Sequence, residues 1–449
     1  MGDLAKIFKA YDVRGVVPDE LDEATAEAVG AAFVEVTAAE SIVVAHDMRE
    51  SSVPLAEAFV RGARSRGADV VHAGLGSTDL LYYASGSLGL PGVMFTASHN
   101  PARYNGMKMC RAGAVPIGGD TGLIDIRDRA AELVGVPAAP GGSVIEKDLL
   151  QGYADHLRTL VDLSRIRPLK VVVDAGNGMG GHTVPAVFEG LPIELTPLYF
   201  ELDGNFPNHE ANPIEPQNLV DLQRAVVEGG ADLGLAFDGD ADRCWVIDEQ
   251  GRSVSPSAVT ALVATRELAK HPGSTIIHNL ITSSAVPEIV REQGGVPVRT
   301  RVGHSFIKAE MARTGAVFGG EHSAHYYFRD FWFADSGMLA ALHVLAALGE
   351  QERPLSEVVE AYSRYHASGE VNSAVADQGE ALRRVREAFA ARGEFDELDG
   401  LTVTGPGWWF NLRASNTEPL LRLNAEAADE STMRAIRDEV LAIVGRVSE

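Results

Sequence analysis

A chain of 449 residues exceeds what one hydrophobic core sustains, so roughly two to four domains are expected. Its apolar fraction of 45% and charged fraction of 23% are those of an ordinary soluble globular protein, with no apolar run long enough to span a bilayer. A net charge of −24, from 39 basic and 63 acidic residues, argues against nucleic acid and membrane as partners, while leaving a small anion within reach of a few converging cations. The N-terminal MGDLAKIFKAYDVRG lacks a signal-peptide core, and the two cysteines, Cys110 and Cys244, are too few for a disulfide framework. A cytoplasmic location is the expectation.

In chain order, SIVVAHD (41–47), the helical LAEAFVRGARSRG and DVVHAGLG form a first strand–helix–strand unit. LKVVVDAG (169–176), TVPAVFEG and PIELTPLYF form a second, and STIIHNL (274–280), SAVPEIVREQGG and VPVRTRVG a third. Three such units predict largely parallel sheets and a structural repeat. VGVPAAPGG (134–142) and DEQGRSVSPSA (248–258) punctuate them, followed by helices from LLQGYADHL and AVTALVATRELAKH. From about residue 367 the pattern changes to a helix (EALRRVREAFAARG), strands around LTVTG and GWWFNLRASNTEPLLRLNAEA, and a final helix, ESTMRAIRDEVLAIVG. That reads as a small α+β domain appended to three α/β domains.

Four stretches carry chemistry. VMFTASHNPARYNGMK (93–108) breaks an apolar strand on Ser98, in residues suited either to a simple turn or to presenting a nucleophile. LGLAFDGDADRCWVID (233–248) alternates Asp238, Asp240 and Asp242 after an apolar strand, hard oxygen ligands for Mg²⁺ or Ca²⁺. An EF-hand would need glycine where Arg243 stands, and a haloacid-dehalogenase-type phosphatase would need Thr or Val where Asp242 stands. RVGHSFIK (301–308) and GGEHSAHYYF (319–328) gather His304, Lys308, Glu321, Ser323 and His325, a set suited to sugar hydroxyls. RASNTEP (413–419) offers Arg413, Ser415, Asn416 and Thr417 as a phosphate cradle, and FKAYDVRG (8–15) adds Lys9 and Arg14. No P-loop, dinucleotide fingerprint or GxSxG elbow occurs in the right setting.

Together TASHNP, DGDADR, GEHSAH and RASNTEP, with YDVRG and VGHSFIK, resemble the signature loops of the α-D-phosphohexomutase family across essentially the whole chain. The GEHSAHYYF loop is most similar to the bacterial phosphomannomutase/phosphoglucomutase group. The resemblance implies three tandem mixed α/β-sheet domains of similar topology and a smaller C-terminal α+β domain around a central cleft, at residues 1–145, 146–250, 251–366 and 367–449. It implies a phosphoserine at Ser98, Mg²⁺ held by Ser98, Asp238, Asp240 and Asp242, and reversible conversion of hexose 6-phosphate to hexose 1-phosphate. A hexose 1,6-bisphosphate would serve as intermediate and activator, and the partners would be small phosphosugars, bound by a monomer or homodimer.

In that scheme Arg14 and Lys108 flank the transferring group, with Lys108 and His304 as candidates for moving a proton. Arg243 steadies the phosphoryl group. Gly303, Glu321, Ser323 and His325 meet the sugar, and Arg413, Ser415, Asn416 and Thr417 grip the other phosphate. Two departures stand out. Asn424 occupies the place of a second family arginine, for which Arg422 on the same strand face is the substitute. HNLITS (278–283) lacks a lysine that relatives often carry. His99 has no assigned role. A metal-dependent sugar-phosphate phosphatase, a mutase of amino-sugar phosphates and a non-catalytic carbohydrate-binding homologue are the competing readings.

Overall fold

The computed structural model describes residues 4–137, 139, 141–414 and 420–445. Four sheets follow one another along the chain. In the first, strands Ser41–His46, Asp69–Leu75 and Gly92–Phe95 run parallel, while Tyr104–Arg111 pairs antiparallel with both Gly92–Phe95 and Val13–Val16. The short Val144–Glu146 closes its far edge.

The second and third sheets repeat one plan. In each, a first strand (Leu169–Asp174 or Thr275–Asn279) lies between two parallel neighbours, one of which leads into an antiparallel partner. That antiparallel step joins Leu233–Phe237 to Cys244–Asp248 in the second sheet and Phe318–Gly320 to Tyr326–Phe328 in the third. The parallel strands are near-continuous Val, Ile and Leu because helices cover both faces. The repeat read from the sequence is therefore a repeat of topology.

The equivalent hairpin in all three sheets carries a signature loop: Ser98 between Gly92–Phe95 and Tyr104–Arg111, the aspartates between Leu233–Phe237 and Cys244–Asp248, and Glu321 between Phe318–Gly320 and Tyr326–Phe328. Each turn contains one non-glycine residue forced into the left-handed region, Ser98 (φ 49°), Ala241 (φ 59°) and Ala324 (φ 62°). Such a conformation persists only where its surroundings over-determine it, and it clusters at functional sites.

The fourth sheet is antiparallel, in the order His366–Ala374, Leu420–Ala427, Trp408–Ala414, Leu401–Gly405 and Glu394–Asp396. Its edge strand His366–Ala374 was not legible in HASGEVNSA, which is short of apolar residues and broken by a bulge between Ala367 and Glu370. Helices Gln378–Phe389 and Glu430–Gly445 cover one face. One apolar core runs continuously through parts of the first three sheets, from Val43 and Leu80 through Val172 and Leu235 to Phe318 and Leu342. The fourth sheet has a core of its own, around Phe389, Phe410 and Val440. No helix among the described residues is long and apolar enough to cross a membrane.

Candidate active site

The Ser98 turn is built from its own backbone. The buried guanidinium of Arg49 donates to the carbonyls of Ser98 (2.8 Å), Asn100 (2.7 Å), Pro101 and Tyr104 (3.0 Å each), and its Nε to Asp47 (3.2 Å). Thr96 Oγ1 accepts the Ser98 N–H at 2.9 Å. Arg14 reaches the same turn, donating to the Ala97 carbonyl (3.3 Å) and to Asn100 Oδ1, and is steadied by Asp12. Lys9 instead donates to the Lys6 carbonyl at the surface. Arg49 escaped the sequence reading because an arginine in HDMRESS looks like a solvated helix-entry residue.

The aspartate loop meets this turn head-on. A side chain at Gly239 would place its Cβ 2.3 Å from the Ser98 carbonyl oxygen, so only glycine lets the loops close. Ser98 Oγ donates to Asp238 Oδ2 at 2.8 Å. Carboxylate oxygens of the buried Asp238, Asp240 and Asp242 lie within 4.8 Å of one another. Arg243 donates to Asp238 through Nε (3.0 Å) and Nη2 (2.8 Å), and Lys108 Nζ bridges Asp240 (2.7 Å) and Asp242 (2.6 Å). Thr78 Oγ1 donates to Asp240 at 2.5 Å.

Electrostatics separate these groups. Burial raises the Asp238 carboxyl to about 6, against the attraction of Arg243 and with help from its two acidic neighbours. Burial pushes Asp240 the same way, but the charge and hydrogen bond of Lys108, the Thr78 hydroxyl and the Arg243 charge together outweigh it and hold Asp240 well below the carboxylate range. At Lys108 burial works against the charge, but Asp240 and Asp242 together overcome it and raise the group, so its ammonium keeps its protons. His99 is held well below its ordinary value by burial and then by Arg243. Its Nδ1, 2.7 Å from Arg243 Nη2, must accept, since a guanidinium can only donate.

The cluster fits a hard divalent cation. Asp240 Oδ1 and Asp242 Oδ1 are buried without a hydrogen-bond partner among the described residues, a costly state for carboxylate oxygens unless a cation faces them. An all-oxygen donor set of three carboxylates and a hydroxyl suits Mg²⁺ better than a softer metal.

The third hairpin abuts the second. His325 Nδ1 sits 3.0 Å from Asp335 Oδ2 and 4.0 Å from Asp242 Oδ1. Burial would lower this imidazole, but Asp242 and Asp335 hold it above its ordinary value. Lys308, instead of facing sugar, is buried with its Nζ 2.7 Å from Asp335 Oδ1 and 4.3 Å from the centre of the Tyr82 ring. Its effect on the site runs through Asp335, which ends the short strand Ala334–Asp335. Glu321 is oriented by the N–H of Gly303 (3.2 Å), Asn279 Nδ2 (3.3 Å) and the Tyr327 hydroxyl (2.7 Å). Asn279 belongs to the HNLITS stretch that lacks lysine and serves here as a support for Glu321. Ser323 is half-buried on the same turn.

On the fourth sheet, Arg413 and Arg422 are register partners on adjacent strands. Arg413 Nη2 donates to Glu370 at 2.6 Å, Arg422 Nη1 lies 3.4 Å from the same carboxylate, and Arg413 Nη1 is buried without a hydrogen-bond partner among the described residues. His322 Nε2, on the Glu321 turn, is 4.0 Å from Glu370. Ser415, Asn416 and Thr417 lie outside the described residues, as does the side chain of His304, which opens helix His304–Thr314. The described loops thus form a continuous path: Ser98 to the aspartates, through His325 and the Glu321 turn, to the paired arginines.

Comparison with known proteins bears on the chain as a whole. Four phosphoglucomutase/phosphomannomutase models match in order: alpha/beta/alpha domain I over residues 5–132, domain II over 151–251, domain III over 255–365 and the C-terminal domain over 370–443. The chain therefore belongs to the phosphoglucomutase/phosphomannomutase family of enzymes. It is 41% identical over 438 residues to "Phosphohexose mutases" of Xanthomonas campestris pv. campestris, covering 97% of this chain and 98% of the relative. It is also 41% identical over 449 residues to a phosphomannomutase of Escherichia coli, with the same coverage. A crystal structure of a phosphoglucomutase/phosphomannomutase family protein from Burkholderia thailandensis superposes with a TM-score of 0.90 at 33% identity, covering 100% of this chain and 98% of that one.

Proposed function

We propose that this enzyme interconverts hexose 6-phosphate and hexose 1-phosphate, with mannose and glucose phosphates as substrates, through a phosphorylated Ser98 and a hexose 1,6-bisphosphate. The observation that carries the reading is the meeting of Ser98 with Asp238 at 2.8 Å inside a buried cluster of aspartates, arginine and lysine. Phosphoryl transfer needs little covalent help but much charge neutralisation and in-line positioning. A divalent cation on Ser98, Asp238, Asp240 and Asp242 would supply part of that neutralisation when bound. Four domains, with boundaries at 145, 250 and 366, each contribute one loop in this reading.

The chain's own residues supply the rest. Arg49 and Thr96 fix the Ser98 turn so that Oγ points at the cluster. A sugar hydroxyl attacks phosphorus as the bond from phosphorus to Ser98 Oγ breaks, and Arg243, Arg14 and Lys108 offset the charge on the phosphoryl oxygens. Lys108, held between two carboxylates, acts by charge and not as a base. The hydroxyl proton passes to His325, whose ring Asp335 orients through Nδ1, leaving Nε2 for the cleft. Ser98 Oγ leaves with the electron pair of the broken bond and takes up one proton from water, matching the one passed to His325, so that its hydroxyl again donates a hydrogen bond to Asp238 as it does here. Glu321 and Ser323 bind sugar hydroxyls, while Arg413 and Arg422 hold the phosphate that is not transferred, displacing Glu370.

The test is a product assay with mannose 1-phosphate and, separately, glucose 1-phosphate, with Mg²⁺ and a trace of glucose 1,6-bisphosphate. Formation of the 6-phosphates, abolished by Ser98→Ala and by chelator, is the expected result. Release of inorganic phosphate instead would make the enzyme a phosphatase, and turnover of amino-sugar phosphates alone would move the substrate class.

A further inference from the structure

Outside the site, one buried carboxylate joins the first three sheets at a single point. Asp79 lies in the first turn of helix Thr78–Leu88 and has no exposure to solvent. Its Oδ2 accepts from the Tyr153 hydroxyl at 2.7 Å and from Ser336 Oγ at 2.6 Å, and its Oδ1 from Ser77 Oγ. Tyr153 belongs to helix Leu150–Leu160 and Ser336 precedes helix Gly337–Gly349, so the donors come from segments distant in sequence.

Two of those hydroxyls are already helix caps. Ser77 Oγ accepts the Leu80 N–H at 3.2 Å, and Ser336 Oγ accepts the Leu339 N–H at 3.0 Å. With their lone pairs committed to backbone, their protons turn to Asp79. Two helix N-termini therefore converge on one carboxylate, an arrangement that fixes the start of helix Thr78–Leu88 against both neighbours.

That start is where the aspartate loop is held. Between Ser77 and Asp79, Thr78 donates its N–H to the Asp240 carbonyl at 3.0 Å and its Oγ–H to Asp240 Oδ2 at 2.5 Å. Asp240 Oδ2 also takes Lys108, which leaves Oδ1 as the oxygen without a partner. Thr78 thereby decides which oxygen of Asp240 remains open.

We propose that Asp79 is a positioning residue for the cation site: by fixing the Ser77–Thr78 turn against the second and third sheets, it aims Asp240 through Thr78. This rests on the reading of the aspartate loop as a metal site. Partners of this kind set a ligand's orientation, and losing one costs about 10- to 100-fold in metal affinity or activity.

The test titrates Mn²⁺ into the full-length protein, following free Mn²⁺ by electron paramagnetic resonance, beside steady-state kinetics and a thermal melt. Thr78→Val keeps shape and leaves the Asp79 tie intact, while Asp79→Asn removes the tie. Both are expected to weaken Mn²⁺ binding by about tenfold and to lower kcat by about 10- to 100-fold, partly restored by excess Mg²⁺, with KM for phosphosugar nearly unchanged. The double variant should be no worse than the more damaging single one, because both act along one path. A lower melting temperature with unchanged Mn²⁺ binding and kcat would reduce Asp79 to a structural tie and overturn the proposal. So would a normal Thr78→Val beside a defective Asp79→Asn. If Asp79→Asn does not fold, Thr78→Val and Ser336→Ala decide alone, by the same readouts. Failure of the unsubstituted protein to bind Mn²⁺ would instead refute the metal reading itself.

Discussion

The seam between the first two sheets and the face of the fourth are built in opposite ways, which on the proposed reading suits them to the two phosphates of one substrate. At the seam the three aspartates and Arg243 are buried and the polar groups are cross-braced: Ser98 to Asp238, Lys108 to Asp240 and Asp242, Arg243 to Asp238 and His99. At the fourth sheet two arginines share one carboxylate, Arg422 and Glu370 keep side-chain exposures of 34% and 22%, and the core beneath is separate from the rest. Its described contacts to the third sheet are mostly polar, such as Glu426 accepting the Ser284 N–H at 2.9 Å and Asp399 accepting the Val302 N–H at 3.1 Å. The difference teaches a division of labour. A reacting phosphoryl group needs a preorganised, water-poor frame, whereas a handle that must accept a sugar in two orientations needs only charge on a separable support.

Substitutions at the seam should therefore strike kcat and those at the fourth sheet KM. The largest expected effect is Ser98→Ala, which removes the hydroxyl that meets Asp238 and is proposed to carry the phosphoryl group. It should lower kcat by at least about 10³-fold, read by 6-phosphate formation and by loss of the phosphorylated species in intact-mass spectra. Asp242→Asn comes next. It halves the charge that Lys108 bridges and removes a carboxylate beside His325, so kcat should fall by about 10²-fold or more, with a raised Mg²⁺ requirement measured by titrating the cation. A change in KM alone from either variant would break the division.

The complementary expectation is that Arg413→Ala raises KM with kcat less affected. A charge-assisted hydrogen bond contributes about 1.5–3 kcal/mol, so the loss in kcat/KM should be roughly 10- to 150-fold for Arg413. It should be smaller for the more exposed Arg422, whose guanidinium is 3.4 Å from Glu370. Initial rates over a range of phosphosugar concentrations separate the two parameters. Equal, large kcat losses in both variants would mean that the fourth sheet takes part in the chemistry.

Much of this contrast was legible in the sequence, because each loop concentrates its chemistry within a few residues after an apolar strand. Ser98, the aspartates, Glu321 and Arg413 all announce themselves by local composition. The bracing does not. Asp79 in GSTDLLYY is indistinguishable from an ordinary acidic residue in a capped first turn, and its value comes from Tyr153 and Ser336, which are 74 and 257 positions away. Arg49, Glu370 and the Lys308–Asp335 pair are hidden for the same reason: their partners are distant in sequence, and residue type alone does not distinguish a braced cation from a solvated one. Local pattern likewise gave the parallel strands but missed His366–Ala374, whose pairing with Leu420–Ala427 supplies what its composition lacks.

The smallest expected effect is on stability, and it separates the fourth sheet from the body of the molecule by pH. His278 lies in the third sheet, buried to 5% exposure, and burial pushes its imidazole down to about 4. In the unfolded chain it would take up a proton near its ordinary value of 6.5, while the folded protein refuses one until pH 4 is approached. Between those limits the unfolded state binds more protons, so stability is fully present above about pH 6.5 and is lost as pH falls toward 4. At pH 5 the loss from this group amounts to about 2 kcal/mol. The fourth sheet has no such group, since its one histidine, His366, is exposed on the edge strand and none follows it in the sequence. Thermal melts from pH 7 to pH 5 should therefore show a smaller acid-induced drop for His278→Gln than for the unsubstituted protein. Hydrogen exchange at pH 5 should locate the early opening in the third sheet, and opening that begins in the fourth would mean that acid acts through carboxylates there instead.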